Sequence, residues 1–212
     1  MESCGLFISL EGGDGAGKTT QAQLLAQWFR DQGRDVVVTR EPGGTDLGSE
    51  LRRLVQHGQD MSARTEALLF AADRSHHVST VIAPALDAGA VVITDRYVDS
   101  SIAYQAGGRE LLSSEIEELS RWATGGLMPH LTILLDVDAA TAAARAGGNP
   151  DRLERAGEDF HARVRQVYLA RAAADPARWI TLSAAASIDS IQGQMRAAVT
   201  AHLEGREGTG TL

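Results

Sequence analysis

Gly12-Gly13-Asp14-Gly15-Ala16-Gly17-Lys18-Thr19-Thr20 is the stretch on which the reading of this chain turns. It fits the pattern G-x-x-x-x-G-K-[ST]. It follows an apolar run, Leu6-Phe7-Ile8-Ser9-Leu10, and precedes a helical pattern over residues 19–32. Strand, glycine-rich loop and helix in that order make a phosphate loop. Backbone N–H groups of the loop and of the first helical turn then point at anionic oxygens. Lys18 is placed to reach the β- and γ-phosphates of a nucleoside triphosphate, and the Thr19 hydroxyl to ligate Mg²⁺. Lys18 is also the single lysine among 20 Lys and Arg residues. A compact ammonium on a flexible stem fits a tight turn around phosphates better than a planar guanidinium does. A glycine-rich surface turn with a solvated lysine is the bland alternative, and the flanking strand and helix patterns disfavour it.

Outward from this loop, short β-branched runs alternate with longer amphipathic segments. The strands are expected at residues 6–10, 36–39, 91–94, 131–137 and 179–182. The helices are expected at 19–32, 47–55, 65–88, 114–123, 159–173 and 188–203. Pro84 should kink or shorten the third of these. The alternation predicts an α/β fold of the P-loop NTPase kind: a parallel five-stranded sheet flanked by helices, with a mobile lid. The 212 residues suit one domain over residues 1–204. The glycine-rich segment 146–150 is expected to be mobile within a lid at about 143–157, and 205–212 to be a disordered tail.

The net charge of -8 argues against a nucleic-acid partner, which would call for a basic face. The one cysteine, Cys4, allows no internal disulfide. No apolar run reaches the roughly 18 residues a membrane span needs, and no signal-peptide pattern opens the chain. A cytoplasmic protein without membrane partners is the expectation.

Further chemistry is carried by four segments. Asp95 ends an apolar run, beside the phosphate loop if the sheet is parallel, and could hold Mg²⁺ or its waters. Asp136 ends a similar run, and a plain Asp-Arg pair closing a strand would look the same; Asp95 is preferred because Arg96-Tyr97 follow. Thr39-Arg40-Glu41-Pro42-Gly43-Gly44-Thr45 reads either as a rigid strand-to-helix turn or as a loop lifting Arg40 and Glu41 to the sheet edge. Phe70 and Arg74, four apart on a helix, share a face and could stack on a base and bond its edge; ordinary core and a solvated arginine is the alternative. Arg145, Arg152, Arg155, Arg163 and Arg165 bracket the segment around Asn149, and a mobile arginine-bearing loop can close over a transferring phosphoryl group.

Asn149 is the single asparagine and is followed by Pro150, so the Asn-Lys-x-Asp guanine reader of GTPases is excluded. No Leu-Ser-Gly-Gly-Gln transporter segment is present. A small-molecule phosphotransferase is the class that remains. Residues 11–20, 39–45, Leu-Leu-Phe-Ala-Ala-Asp-Arg at 68–74, Asp-Arg-Tyr-Val-Asp-Ser-Ser-Ile-Ala-Tyr-Gln at 95–105 and Asp-Arg-Leu-Glu at 151–154 together resemble the thymidylate kinase family, in order from about residue 5 to residue 203.

The resemblance implies transfer of the ATP γ-phosphoryl group to dTMP, giving dTDP on the route to dTTP, with Mg²⁺ as cofactor. Carried over, Gly12, Gly13, Asp14, Gly15, Ala16, Gly17, Lys18, Thr19 and Thr20 would bind ATP, with Asp14 near the acceptor sugar. Arg40, Glu41, Arg52, Phe70, Arg74, Arg96, Ser100, Ser101, Tyr104 and Gln105 would bind dTMP. Within that set, Phe70 would stack on thymine, Arg74 would bond its edge, Arg96 would grip the phosphate and Tyr104 would pack on the sugar. Thr19, Asp95 and Glu41 would surround the metal. Gly15 stands where one form of the family has a catalytic arginine, which implies the bacterial-type form with lid arginines. Arg145, Arg152 and Arg155 are the lid candidates, and Lys18, Asp14, Arg96, Arg145 and Arg152 the expected catalytic set. Adenine contacts are expected from the backbone of residues 183–187. A homodimer through the helices near residues 65–88 is implied as well. A kinase for another acceptor and an ATP-dependent switch module are the rival readings.

Overall fold

A computed structural model describes residues 5–109, 111–138, 141–142, 145 and 152–208. In chain order they form β1 (Leu6–Glu11), α1 (Lys18–Asp31), β2 (Val36–Arg40), α2 (Asp46–His57), α3 (Ala63–His77), a π-helical segment (Val78–Ile82), α4 (Ala83–Asp87), β3 (Val91–Asp95), α5 (Val98–Ser101) and a second π-helical segment (Ile102–Gly108). There follow α6 (Ser113–Thr124), β4 (Leu131–Asp136), a 3₁₀ turn (Glu154–Ala156), α7 (Glu158–Ala174), β5 (Trp179–Ser183) and α8 (Ile188–Gly208).

The five strands pair in parallel in the order β2-β3-β1-β4-β5. Side chains alternate between faces along a strand, and the sequence of β1 uses this alternation. Leu6, Ile8 and Leu10 enter the cluster beneath α1 and α8, with Leu25, Phe29, Ile191 and Met195. Phe7 enters the opposite cluster with Ile82, Val92, Tyr97 and Ile102. Both faces are covered, so β1 is buried throughout its length. The order of the strands reverses at β1, which lies between β3 and β4. That switch point puts the loop after β1 in a crevice at the carboxyl edge of the sheet, where open α/β sheets bind ligands. The register brings Asp95 beside Leu10 on one side and Arg40 on the other.

Every strand expected from the sequence is present to within one residue at either end. The long helix expected at 65–88 is instead broken into α3, a wide π turn and α4. Pro84 is the cause: it lacks the N–H that would bond back to residue 80, and its ring crowds that carbonyl, so the helix widens one turn earlier. α5 and the π-helical segment after it had no counterpart in the reading of the sequence. Two glycines let this segment approach α7: a Cβ on Gly107 would stand 2.5 Å from Val167, and one on Gly108 would collide with the Phe160 ring. α8 runs to Gly208, past the start expected for the tail at 205. Residues 146–150, most of the expected lid and residues 209–212 lie outside the described residues.

Candidate active site

The phosphate loop takes its shape from glycines in backbone conformations closed to other residues. Gly12 has φ +136°, Gly15 +74° and Gly17 +86°. A Cβ on Gly12 would collide with the carbonyl of Leu135 on β4. α2 and α3 have their first amides capped by Thr45 and Ser62. α1 begins instead at left-handed Gly17 with no side-chain cap among the described residues. Its first N–H groups and the positive end of its dipole therefore face the crevice.

Lys18 is buried and donates to the carbonyls of Gly12 (3.1 Å) and Gly13 (2.8 Å). Burial, and then the Arg96 charge, lower its pKa. Thr19 Oγ1 donates to Asp95 Oδ2 at 2.7 Å. Asp136, the other strand-end carboxylate, is held by Arg165 through both oxygens at 2.7 and 2.8 Å. The two aspartates, alike in sequence, are thus separated by their partners, and Asp95 is the one beside the loop.

Arg96 joins the loop to the rest of the cleft. Its backbone has φ +73°, the one positive φ among described non-glycine residues, a strain tolerated where surrounding contacts over-determine it. Nη2 pairs with Asp14 Oδ1 at 2.7 Å and lies 3.2 Å from the Tyr104 hydroxyl. Nη1 donates to Gly12 O at 2.9 Å and meets the hydroxyls of Ser100 and Tyr168, both at 3.3 Å. The guanidinium also lies 5.0 Å above the Tyr104 ring. Burial alone would raise the pKa of Asp14, but Arg96 and Lys18 outweigh it and hold the carboxyl well below its ordinary range.

Beneath Arg96 lies Glu11, fully buried. It accepts from Tyr97 N (2.9 Å), Ser100 Oγ (2.6 Å) and Tyr168 OH (3.1 Å). Burial, and next the nearby Asp99, push its pKa up to about 7. Neither Glu11 nor Tyr168 was singled out from the sequence. Glu11 adjoins the motif and carried a signal as a carboxylate at a strand end. Tyr168 sits in a helix 72 residues from Arg96 and carried none.

Two adjoining chambers open on this cluster. The first is lined by Asp14, Gly15, Gly17, Lys18, Thr19, Thr20, Arg40, Glu41, Arg52, Asp95, Arg96 and Arg145. The second is lined by Asp14, Glu41, Pro42, Arg52, Gln56, Phe70, Arg74, Arg96, Ser100, Ser101, Tyr104, Gln105 and Leu153. Asp14, Glu41, Arg52 and Arg96 belong to both. Pro42, Gln56 and Leu153 are additions to the residues expected from sequence. Gly13 and Ala16 shape the loop without lining either chamber.

Three expectations are revised, and the alternative reading of Arg74 is set aside. Arg74 is no solvated helix residue: it is 2% exposed, with Nε on Glu41 (2.7 Å), Nη1 on Ser101 Oγ (3.0 Å) and Nη2 on Tyr97 O (3.1 Å). Glu41, expected near the metal, spends one oxygen on Arg74 and the other on His77 Nδ1 (2.9 Å), so it anchors an arginine. Ser100 lines the second chamber, but its hydroxyl is turned to Glu11 and Tyr168. Arg152, expected to be catalytic, pairs with buried Glu66 at 2.7 Å and donates from Nε to Val55 O. It therefore lies against α2 and α3 and lines neither chamber. Among the lid candidates Arg145 is the one at the phosphate loop, donating to Ala184 O at 2.8 Å. Arg163 donates to the carbonyls of Gly107 and Gly108. Arg155 lies in the 3₁₀ turn and lines neither chamber.

The donor set around Thr19 and Asp95 is a hydroxyl and a carboxylate at the mouth of a phosphate loop, hard oxygens suited to a divalent cation that keeps water and phosphate ligands. Among the described residues no three His, Cys, Asp or Glu cluster as a protein-only metal cage. None of the described helices is long and apolar enough to cross a membrane.

A phosphate loop at the switch point of a 2-3-1-4-5 parallel sheet, with a second chamber alongside that carries Arg52, Arg74 and Arg96, defines a P-loop kinase of small phosphorylated substrates. A family model described as thymidylate kinase matches residues 10–195. A thymidylate kinase of Leifsonia xyli is 56% identical over 196 residues, covering 91% of this chain and 93% of that one. One from Bifidobacterium longum is 55% identical, covering 88% and 93%. The crystal structure of thymidylate kinase from Ehrlichia chaffeensis superposes with a TM-score of 0.79 at 32% identity, covering 92% of this chain and 98% of that one. The chain belongs to the thymidylate kinase family, enzymes that phosphorylate dTMP to dTDP for dTTP synthesis.

Proposed function

We propose that the two chambers divide the reaction, the phosphate-loop chamber holding ATP and the second holding dTMP, with Arg96 between them. The observation that carries this reading is Arg96 itself, bonded to the phosphate loop at Gly12 and Asp14 and stacked over Tyr104. Two polyanions must approach one another, and Lys18, Arg96 and Arg145 supply the cations that permit it. Phosphoryl transfer needs in-line positioning and charge neutralisation more than covalent participation. Arg145 answers the absence of an arginine at Gly15.

In the second chamber Phe70 stacks on thymine and the two N–H groups left on Arg74 face the base edge. Ser101 and Gln105 complete the base pocket, Gln105 being held by Glu66 at 3.1 Å. Tyr104 packs on the sugar, and Asp14 lies near its 3′-hydroxyl. Arg40 and Arg52 lie toward the acceptor phosphate. Thr19 and Asp95 would hold Mg²⁺, which would supply neutralisation of charge on the donor phosphates.

An acceptor panel of dTMP, dUMP, CMP and thymidine with coupled ADP detection tests this reading. dTMP should give the highest kcat/KM, and a higher value for any other acceptor refutes the assignment of the second chamber. ADP release indifferent to acceptor would point to the switch-module reading. We also propose a cytoplasmic homodimer through the helices of residues 65–88, where Leu68 is exposed. Sedimentation of the full chain as a monomer at micromolar concentration would refute it.

A further inference from the structure

We infer that His77 is a positioning residue for base recognition, acting through Glu41 to orient Arg74. The inference rests on the proposed role of Arg74 at the acceptor base. Three of the five N–H groups of Arg74 are committed, to Glu41, Ser101 and Tyr97. These bonds fix the guanidinium plane and leave one N–H on each Nη for the base. Of the three partners Glu41 alone is charged, so its position weighs most on that plane.

Glu41 follows the end of β2, in a loop that has no regular structure of its own to hold it. Its backbone N–H donates to Asp95 O at 2.9 Å, and α3 holds the side chain. Asp73 Oδ1 accepts from Gly43 N at 3.1 Å, and His77 Nδ1 meets Glu41 Oε1 at 2.9 Å. The far side of the imidazole is fixed in turn by Thr39 on β2, Oγ1 to Nε2, at 2.6 Å. Facing a carboxylate, Nδ1 is the donor, and a neutral ring then accepts the Thr39 hydroxyl proton at Nε2. A strand hydroxyl, an imidazole, a carboxylate and a guanidinium thus form one unbroken chain of bonds into the pocket. The histidine is fully buried, so no water can replace it without rearrangement. The loop backbone also lies directly upon it: a Cβ on Gly44 would stand 2.5 Å from Nε2 and 2.6 Å from Thr39 Oγ1.

Without the Nδ1 donor, one oxygen of a buried carboxylate loses its partner beside the Asp73 carboxyl, and Glu41 turns to find another. Arg74 follows it. Thymine presents an acceptor at C4 where cytosine presents an amino donor. A loosened Arg74 therefore affects discrimination between these bases, and Arg74 lines the acceptor chamber alone, whereas Glu41 borders both.

Two variants of near-equal polarity separate positioning from packing. In His77→Asn the amide nitrogen can stand where Nδ1 stood and still donate to Glu41. In His77→Gln the amide reaches the Nε2 position and the Glu41 bond is lost. Steady-state kinetics with dTMP, dCMP and ATP should give His77→Gln a KM for dTMP raised at least about tenfold. Its dTMP-to-dCMP ratio of kcat/KM should fall by a similar factor, with a smaller change in the KM for ATP. His77→Asn should recover most of both losses. Unchanged base discrimination in folded His77→Gln, or equal losses in both variants, overturns the inference. Should His77→Gln not fold, Thr39→Val cuts the same chain one bond earlier, and the same two ratios decide. A wild-type enzyme that does not prefer dTMP to dCMP would overturn the base-pocket reading itself, and this inference with it.

Discussion

At the residue scale, the chemistry depends on charges held where water does not reach them. Lys18 rests on the carbonyls of Gly12 and Gly13, so among the described residues its ammonium bonds only within the phosphate loop. Lys18→Ala should lower kcat by at least about a hundredfold while circular dichroism and Tm stay near wild type; near-wild-type turnover would remove the lysine from the mechanism. Glu11 makes a different kind of prediction. Its carboxyl pKa rises from 4.5 to about 7 on folding, so the native state keeps a proton that the unfolded chain has released. Stability from this group is full below about pH 4.5 and is lost as pH rises through about 7. Thermal melts of wild type and Glu11→Gln from pH 4.5 to 8 should show the wild type losing Tm relative to the variant as pH rises, most of it before pH 8. A constant difference across that range would contradict the shift.

At the scale of elements, close backbone approaches decide what the loops can be. β1 and β4 pair up to Glu11 and Leu134, and the loop leaves past the Leu135 carbonyl through Gly12. Gly12→Ala meets both that carbonyl and an unfavourable φ, so it should cost at least about 2 kcal/mol and weaken ATP binding, as read by chemical denaturation and nucleotide titration. The strands and the phosphate loop were legible in the sequence because β-branched runs and a spaced motif are local signals. The break at Val78–Ile82 was half legible, since Pro84 announces a fault but not where the helix widens. The second π-helical segment was not legible at all. It depends on Gly107 and Gly108 meeting Val167 and Phe160, residues more than fifty positions away. For the same reason Arg74 could be named as a pocket residue, whereas its support from Glu41 and His77 lay beyond any local pattern. Arg152 and Arg145 looked equivalent in sequence, and partners on other elements set them apart: Glu66 on α3 for one and Ala184 after β5 for the other.

At the scale of the molecule, those partners assign the two arginines to different sides of the cleft. Arg145→Ala should reduce kcat by at least about tenfold with little change in the KM for dTMP. Arg152→Ala should instead raise the KM for dTMP, because the adjoining Leu153 lines that chamber and the Arg152 backbone is tied to Gln56 at 3.1 Å. Steady-state titration of each substrate separates the two outcomes, and identical profiles for the two variants would refute the division. The placement of Arg96 has a consequence beyond either chamber. One guanidinium serves as a wall of both, bonded to Asp14 on one side and set against Tyr104 on the other. A ligand that displaces or strengthens the Asp14 pair on one side alters the field felt on the other. Affinities for the two nucleotides are then thermodynamically linked, and whatever factor dTMP contributes to ATP affinity, ATP must return to dTMP in equal measure.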